Sequence, residues 1–252
     1  METVLEVKNL SKTFTQREGK GLAAVRQVSF SLAAGERLGI VGESGSGKTT
    51  LARLVTRLAD PTEGQVFLEG EEITRLRGAA LRPVYRKLQM VFQSPQGSFD
   101  PRRRVGEGVG ESLANLGVPR GERRERVAAL LAQCGLEPEL AARYPHQLSG
   151  GQCQRAAIAR ALAVEPRVLV CDEATSSLDV TVQQQILALL DRLGTQRQLS
   201  FLFICHNLAL VQAFCSRVLV MHQGRVVEEG PTAQVIAAPR DPYTRQLVEA
   251  AL

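Results

Sequence analysis

The stretch V-G-E-S-G-S-G-K-T-T, residues 41–50, decides the reading of this 252-residue chain. Three glycines and several hydroxyl side chains surround one lysine, Lys48, so the segment has almost nothing to pack. It lies between an apolar run, Arg37 to Val41, and K-T-T-L-A-R-L-V-T-R-L, whose apolar residues recur at helical spacing. Gly42, Glu43, Ser44, Gly45, Ser46, Gly47, Lys48 and Thr49 match G-x-x-x-x-G-K-[ST], and Thr50 continues the same nucleotide-binding run. Glycines let successive backbone N–H groups turn inward as an anion nest, and the helix that follows directs its positive end at the same point. Lys48 reaches the β- and γ-phosphates, and Thr49 offers its hydroxyl to Mg²⁺. The strand–loop–helix context predicts a polyphosphate cradle rather than a flexible turn.

A phosphate cradle needs an acidic element for the metal. R-V-L-V-C-D-E, residues 167–173, reads as a buried strand that delivers Asp172 and Glu173 at its C-terminal end, where open α/β sheets bind ligands. Asp172 can hold Mg²⁺ through water, and Glu173 can orient or deprotonate an attacking water. A second glycine-rich helix start, L-S-G-G-Q at 148–152, places Ser149 before two glycines and the helical run Q-C-Q-R-A-A-I-A-R-A-L. It is another anion-binding helix start, surplus to one nucleotide unless it serves a different one.

The rest of the chain supports an α/β fold. Val4–Val7, Val25–Leu32, Gln65–Leu68 and Leu88–Phe92 read as strands, and V-S-F-S-L in the second alternates as a strand with one wet face does. From Ser94 to about Arg143 strand patterns give way to helical patterns rich in Arg, Glu, Leu and Ala. Alternation then resumes: a strand at 167–173, a helix in V-Q-Q-Q-I-L-A-L-L-D-R-L, a strand in S-F-L-F-I-C-H (200–206), a helix in N-L-A-L-V-Q-A-F-C, and R-V-L-V-M (217–221) turning through H-Q-G-R into V-V-E-E-G. Strands alternating with helices imply a mostly parallel sheet covered on both faces.

Composition bounds the alternatives. A chain that is 44% hydrophobic can bury a substantial core, and no apolar run of 18 residues exists to span a membrane. The N-terminal residues lack a basic segment followed by an apolar one, so a cytosolic location is expected. The net charge of +5 suits acidic partners such as nucleotide phosphates, nucleic acid or an anionic membrane. Only 4% of residues are aromatic, and there is no Trp, which weakens a base-stacking surface; no nucleic-acid partner is expected. Five cysteines without paired spacing read as a reduced chain, either as small apolar fillers or, for Cys153, Cys171 and Cys205 beside motifs, as redox sensors.

Taken together, G-E-S-G-S-G-K-T, L-S-G-G-Q and V-L-V-C-D-E in this order make the chain resemble the ATP-binding subunits of ATP-binding-cassette (ABC) transporters, over nearly all its length. The resemblance implies a P-loop NTPase fold of the ABC type: one domain (1–252) with a nucleotide-binding core (1–93 and 146–230), an antiparallel β part, a helical subdomain (94–145) and a C-terminal tail (231–252). It implies that Leu148, Ser149, Gly150, Gly151 and Gln152 face the ATP of a partner subunit, so that two ATP molecules lie between two head-to-tail ATPase domains. Gln93 matches the glutamine that senses the γ-phosphate and helps hold Mg²⁺ with Thr49 and Asp172. Ser177, Leu178 and Asp179 match the loop that crosses the dimer, His206 the histidine on the γ-phosphate, and Phe14 the ring that stacks on adenine. Catalysis is thereby implied for Glu173, His206, Lys48 and Gln93. Three positions depart from the pattern: Ala174 for a proline, Asn207 for an aspartate and Asp241 for a histidine.

The segment S-P-Q-G-S-F-D-P-R-R-R-V (94–105), Y-P-H-Q before the signature and the tail D-P-Y-T-R-Q-L resemble the importer branch for peptides and nickel. The short tail and the Asp-Glu-Ala triplet favour nickel or a nickel chelate, with a dipeptide or oligopeptide cargo as the alternative; a soluble ATPase or an exporter fits less well. Implied partners are two membrane permease subunits, a second ATPase subunit and an extracytoplasmic substrate-binding protein. The implied location is the cytoplasmic face of the membrane.

Overall fold

The computed structural model describes residues 2–15, 21–175 and 178–251. The chain opens with β1 (Thr3–Thr15), β2 (Gly21–Ala33) and β3 (Arg37–Val41), passes into α1 (Lys48–Val55), and continues through β4 (Glu63–Leu68), β5 (Glu71–Glu72), α2 (Arg82–Lys87) and β6 (Leu88–Val91). Helices follow: α3 (Val105–Val109), α4 (Glu111–Asn115), α5 (Arg120–Gln133) and α6 (Gly150–Leu162). Then come β7 (Val168–Asp172), α7 (Val180–Arg197), β8 (Ser200–Ile204), α8 (Leu208–Phe214), β9 (Arg217–His222), β10 (Arg225–Pro231), α9 (Thr232–Ala237) and α10 (Pro242–Ala251).

Two sheets result. One is antiparallel in the order β2-β1-β4-β5; the other has the order β10-β9-β3-β8-β7-β6 and is parallel except for the β9–β10 hairpin. In β7 and β8 every residue is buried. Their alternate side chains enter different cores: Val168, Val170, Leu202 and Ile204 pack with β1, β2 and α1, whereas Leu169, Cys171, Phe201 and Phe203 pack with α6, α7 and α8. This is why both strands read as unbroken apolar runs: period-2 alternation vanishes when both faces are covered. In β2 the alternation survives, with Val28, Phe30 and Leu32 buried between exposed neighbours.

Parallel register brings the site together. Ile40 of β3 lies beside Ile204, Asp172 beside Ile204, and Val91 beside Cys171. The residues that follow each strand therefore emerge at one edge of the sheet: the glycine loop after β3, Gln93 after β6, Glu173 after β7 and His206 after β8.

The structure differs from the sequence reading at several element ends: β2 begins at Gly21, ahead of Val25, and β8 stops at Ile204, short of His206. β1 runs on to Thr15, because pairing with β2 and β4 through register shifts carries it past the apolar run Val4–Val7. β6 ends at Val91, so Phe92 already belongs to the loop. The tail folds as α9 and α10, with Val235 and Val248 in the core. No helix among the described residues is long and apolar enough to cross a membrane.

Candidate functional site

The loop between β3 and α1 is shaped by its glycines. Gly42 has φ 151° and Gly47 φ 104°, and a Cβ on either would lie 2.2 Å from the Met221 carbonyl oxygen or 2.3 Å from that of Ala24. Only a residue without Cβ fits such backbone-on-backbone contacts. Gly47 is the N-cap of α1, so Lys48 and Thr49 stand in its first turn. Lys48 is 4% exposed, and its ammonium donates to Gly42 O (2.7 Å), Glu43 O (2.8 Å) and Ser46 Oγ (3.4 Å). Burial lowers its pKa, while the carboxylates of Glu173 and Asp172 oppose that shift.

Asp172 closes β7 and is buried. The hydroxyl of Thr49 donates to its Oδ1 over 3.1 Å, and Asp172 makes no ion pair within 4.0 Å among the described residues. Burial raises its pKa, which the Thr49 hydrogen bond partly opposes. A buried carboxylate held by a neutral hydroxyl is electrostatically incomplete and favours a cation. Asp172 and Thr49 together offer the hard-oxygen donors that Mg²⁺ takes.

Glu173 leaves the strand in the left-handed region, φ 46°, with its N–H bonded to Ile204 O at 2.9 Å. Gln93 Nε2 donates to Glu173 Oε2 over 2.6 Å, and His206 Nδ1 lies 3.5 Å from Glu173 Oε1. Three chain segments, those leaving β6, β7 and β8, thus meet around one carboxylate. Ala174, in the family's proline position, is buried. Asn207, in the aspartate position, caps α8: its Oδ1 accepts from Ala209 N (3.0 Å) and Leu210 N (3.3 Å). The cap function survives that exchange.

The signature residues are built elsewhere. Ser149 and Gln152 form a reciprocal capping box at the start of α6, with Gln152 N donating to Ser149 Oγ and Ser149 N to Gln152 Oε1. Leu148 is buried beneath. Gly150 and Gly151 face the start of α7: a Cβ would lie 3.3 Å from Leu178 Cδ2 and 2.8 Å from Val182 Cγ1, respectively. Asp179 caps α7 through Val182 N. Gly150 and Gly151 of the signature therefore pack against Leu178 and Val182. Ser177 lies outside the described residues. Ser44, Gly45 and Thr50 lie in or beside the loop, and Gly45 has φ 83°. Phe14 is 43% exposed near the end of β1, opposite Leu22 of β2, the strand whose Ala24 abuts Gly47.

All five cysteines are free and buried. Burial pushes Cys171 and Cys134 up to about 12 and Cys153 to about 11, and raises Cys205. Thiols in such surroundings are packing groups rather than nucleophiles.

One site contact escaped the sequence reading. Tyr243 of α10 accepts a hydrogen bond from Glu43 N over 2.8 Å. D-P-Y-T was read as a branch marker; spacing carries no signal that it touches a loop 200 positions away.

The ABC transporter family profile matches residues 25–176. The di/tripeptide transport ATP-binding protein DppF of Pseudomonas aeruginosa is 45% identical over 256 residues, covering 99% of this chain and 79% of DppF. The glutathione import ATP-binding protein GsiA of Pectobacterium atrosepticum is also 45% identical, although this chain spans only 41% of its length. Among solved structures, the dimeric bacterial ABC transporter cassette MJ0796 matches with a TM-score of 0.82 at 32% identity, over 90% of this chain and 98% of that one. Similarly, cbiO1 of Clostridium perfringens, part of the ABC transporter complex cbiONQ, matches with a TM-score of 0.82 at 28% identity, over 94% and 92%.

Proposed function

The chain belongs to the ABC transporter family, and we propose that it is the ATP-hydrolysing subunit of an importer whose cargo is a di- or tripeptide or a glutathione-like peptide. The observation that carries the ATPase reading is the convergence of Lys48, Thr49, Asp172, Gln93, Glu173 and His206 at one sheet edge. The cargo reading is supported by relatives named for peptide and glutathione import. They favour the peptide alternative over the nickel cargo expected from the short tail.

In this reading the loop N–H groups from Gly45 to Thr49 bind the phosphates, Lys48 neutralises the β- and γ-oxygens, and Phe14 stacks on adenine. Thr49, Asp172 and Gln93 would hold Mg²⁺, whose charge would draw electron density from the phosphate oxygens. Glu173 accepts a hydrogen bond from the attacking water and draws off its proton, and Gln93 fixes the carboxylate's orientation from the side opposite His206. His206 donates an imidazole N–H to the charge that develops on the γ-phosphate.

Leu148–Gln152 complete the ATP site of a second ATPase subunit, with Ser177, Leu178 and Asp179 crossing between the two. ATP contacts both subunits only when the dimer closes, so its binding energy drives closure. Closure moves two permease subunits through the 93–145 region, and a substrate-binding protein delivers cargo from outside. The protein therefore sits at the cytoplasmic face of the membrane without spanning it.

The test is reconstitution in liposomes with two permease subunits and a second ATPase subunit of the same importer. Binding protein loaded with dipeptide is expected to stimulate ATP hydrolysis, and Glu173→Gln to abolish the stimulation. Stimulation by a nickel chelate but not by peptide reverses the cargo assignment. Turnover indifferent to permeases and cargo overturns the importer reading and favours a soluble ATPase.

A further inference from the structure

The peptide that joins Gly42 to Glu43 is the first of the nucleotide loop, and it is gripped on both sides. Its carbonyl, Gly42 O, accepts from Lys48 Nζ at 2.7 Å. Its N–H, on Glu43, donates to the Tyr243 hydroxyl at 2.8 Å. Since C=O and N–H of a trans peptide lie in its plane and point in opposite directions, lysine and tyrosine hold it from opposite edges. The two grips differ in permanence. Lys48 carries three N–H donors, and all three are engaged by Gly42 O, Glu43 O and Ser46 Oγ. Any donor that Lys48 turns toward a phosphate is withdrawn from these oxygens. The Tyr243 bond lies at the other edge and uses none of the Lys48 donors.

Tyr243 is itself held firmly. Its ring lies on that of His222, with centroids 3.9 Å apart. Asp241 Oδ1 accepts from Tyr243 N at 2.8 Å, which caps the start of α10. The Glu228 carboxylate of β10 accepts from Arg240 N and Asp241 N, both at 3.0 Å. Val248 anchors the far end of the helix in the core. Burial raises the pKa of the phenol, so its oxygen remains a neutral acceptor at physiological pH.

We propose that Tyr243 is a positioning residue for nucleotide binding: its hydroxyl fixes the Gly42–Glu43 peptide while Lys48 redistributes its donors to the phosphates. The tail is thereby part of the ATP site, an assignment that rests on the ATPase reading above. Without the hydroxyl this peptide is free to rotate when Lys48 turns away. Loop order is then lost on binding, and affinity falls while chemistry at Glu173 is untouched.

Tyr243→Phe removes the hydroxyl and keeps the ring on His222. In the full chain the expected result is a rise of about 3- to 10-fold in both KM and Kd for MgATP, the size of one neutral hydrogen bond. The kcat should stay within about twofold, and the melting temperature without nucleotide should hold. Unchanged affinity overturns the proposal, whether or not the melting temperature falls; a fall without loss of affinity marks α10 as packing only. Hydrogen exchange at the Glu43 amide, read by NMR in the unmutated protein, gives a second readout. Protection that persists when MgATP is bound supports the proposal, and rapid exchange overturns it. An unmutated chain that binds no MgATP defeats the ATPase reading itself, and the inference with it.

Discussion

Gln93 and Glu173 stand 80 residues apart in the chain, yet the amide of one donates to the carboxylate of the other over 2.6 Å. The bond ties the loop leaving β6 to the loop leaving β7, and it presents one Glu173 oxygen to Gln93 and the other toward His206. A carboxylate so oriented is set to take a proton. Glu173→Gln keeps the shape and loses the base, so kcat for ATP hydrolysis should fall by about 10²- to 10⁴-fold. MgATP affinity, measured by equilibrium binding, should be retained. A variant with full turnover would remove Glu173 from the mechanism.

Asp172 is expected to oppose folding at neutral pH. Its pKa is raised in the fold by burial, so between the unfolded value, about 3.9, and the folded one the native state binds more protons than the unfolded chain. Stability therefore falls as pH rises through that window, and the penalty is complete above it. Asp172→Asn should raise the melting temperature at pH 7, with the difference shrinking toward pH 4, while Mg²⁺-dependent hydrolysis collapses. A variant less stable at pH 7 contradicts the assigned direction.

Asn207 replaces a capping aspartate and still caps α8. Asn207→Ala should cost about 1 kcal/mol, a shift of roughly 2–4 °C in a chain of this size. Asn207→Asp should match the natural residue or exceed it slightly, because a negative charge at a helix start is favourable. Thermal unfolding of the three proteins decides the point.

The signature helix leaves no room for a methyl group at Gly151, where a Cβ would meet Val182 Cγ1 at 2.8 Å. Gly151→Ala should destabilise the fold by roughly 1–3 kcal/mol through overpacking. Adding Val182→Ala should recover most of the loss, because it removes the atom that collides. If the double variant is no more stable than Gly151→Ala alone, the contact does not carry the effect.

The cysteines are predicted to be silent. Cys134, Cys153, Cys171 and Cys205 are 0% exposed, and Cys215 is 5% exposed. Iodoacetamide at pH 8 should label none of them in the native protein and all five in guanidinium, as mass spectrometry would report. Native labelling that lowers ATPase activity would revive a redox role.

The sequence alone determined those features whose physics is local. G-E-S-G-S-G-K-T specifies a nest because its glycines permit the φ values, 151°, 83° and 104°, that turn N–H groups inward. V-L-V-C-D announces a strand covered on both faces, and S-G-G-Q announces a capped helix, because each pattern is satisfied within a few residues. Phe92 and the length of β1 were misjudged because strand ends depend on the neighbouring strand's register. Only the tertiary structure decided what those pieces touch. The strand order β3-β8-β7-β6 brings Thr49 to Asp172 and Gln93 to Glu173, and the packing of α10 brings Tyr243 to Glu43. Such contacts join residues 80 to 200 positions apart, and no local periodicity encodes them. They exist because burying both faces of one sheet forces distant segments out at the same edge.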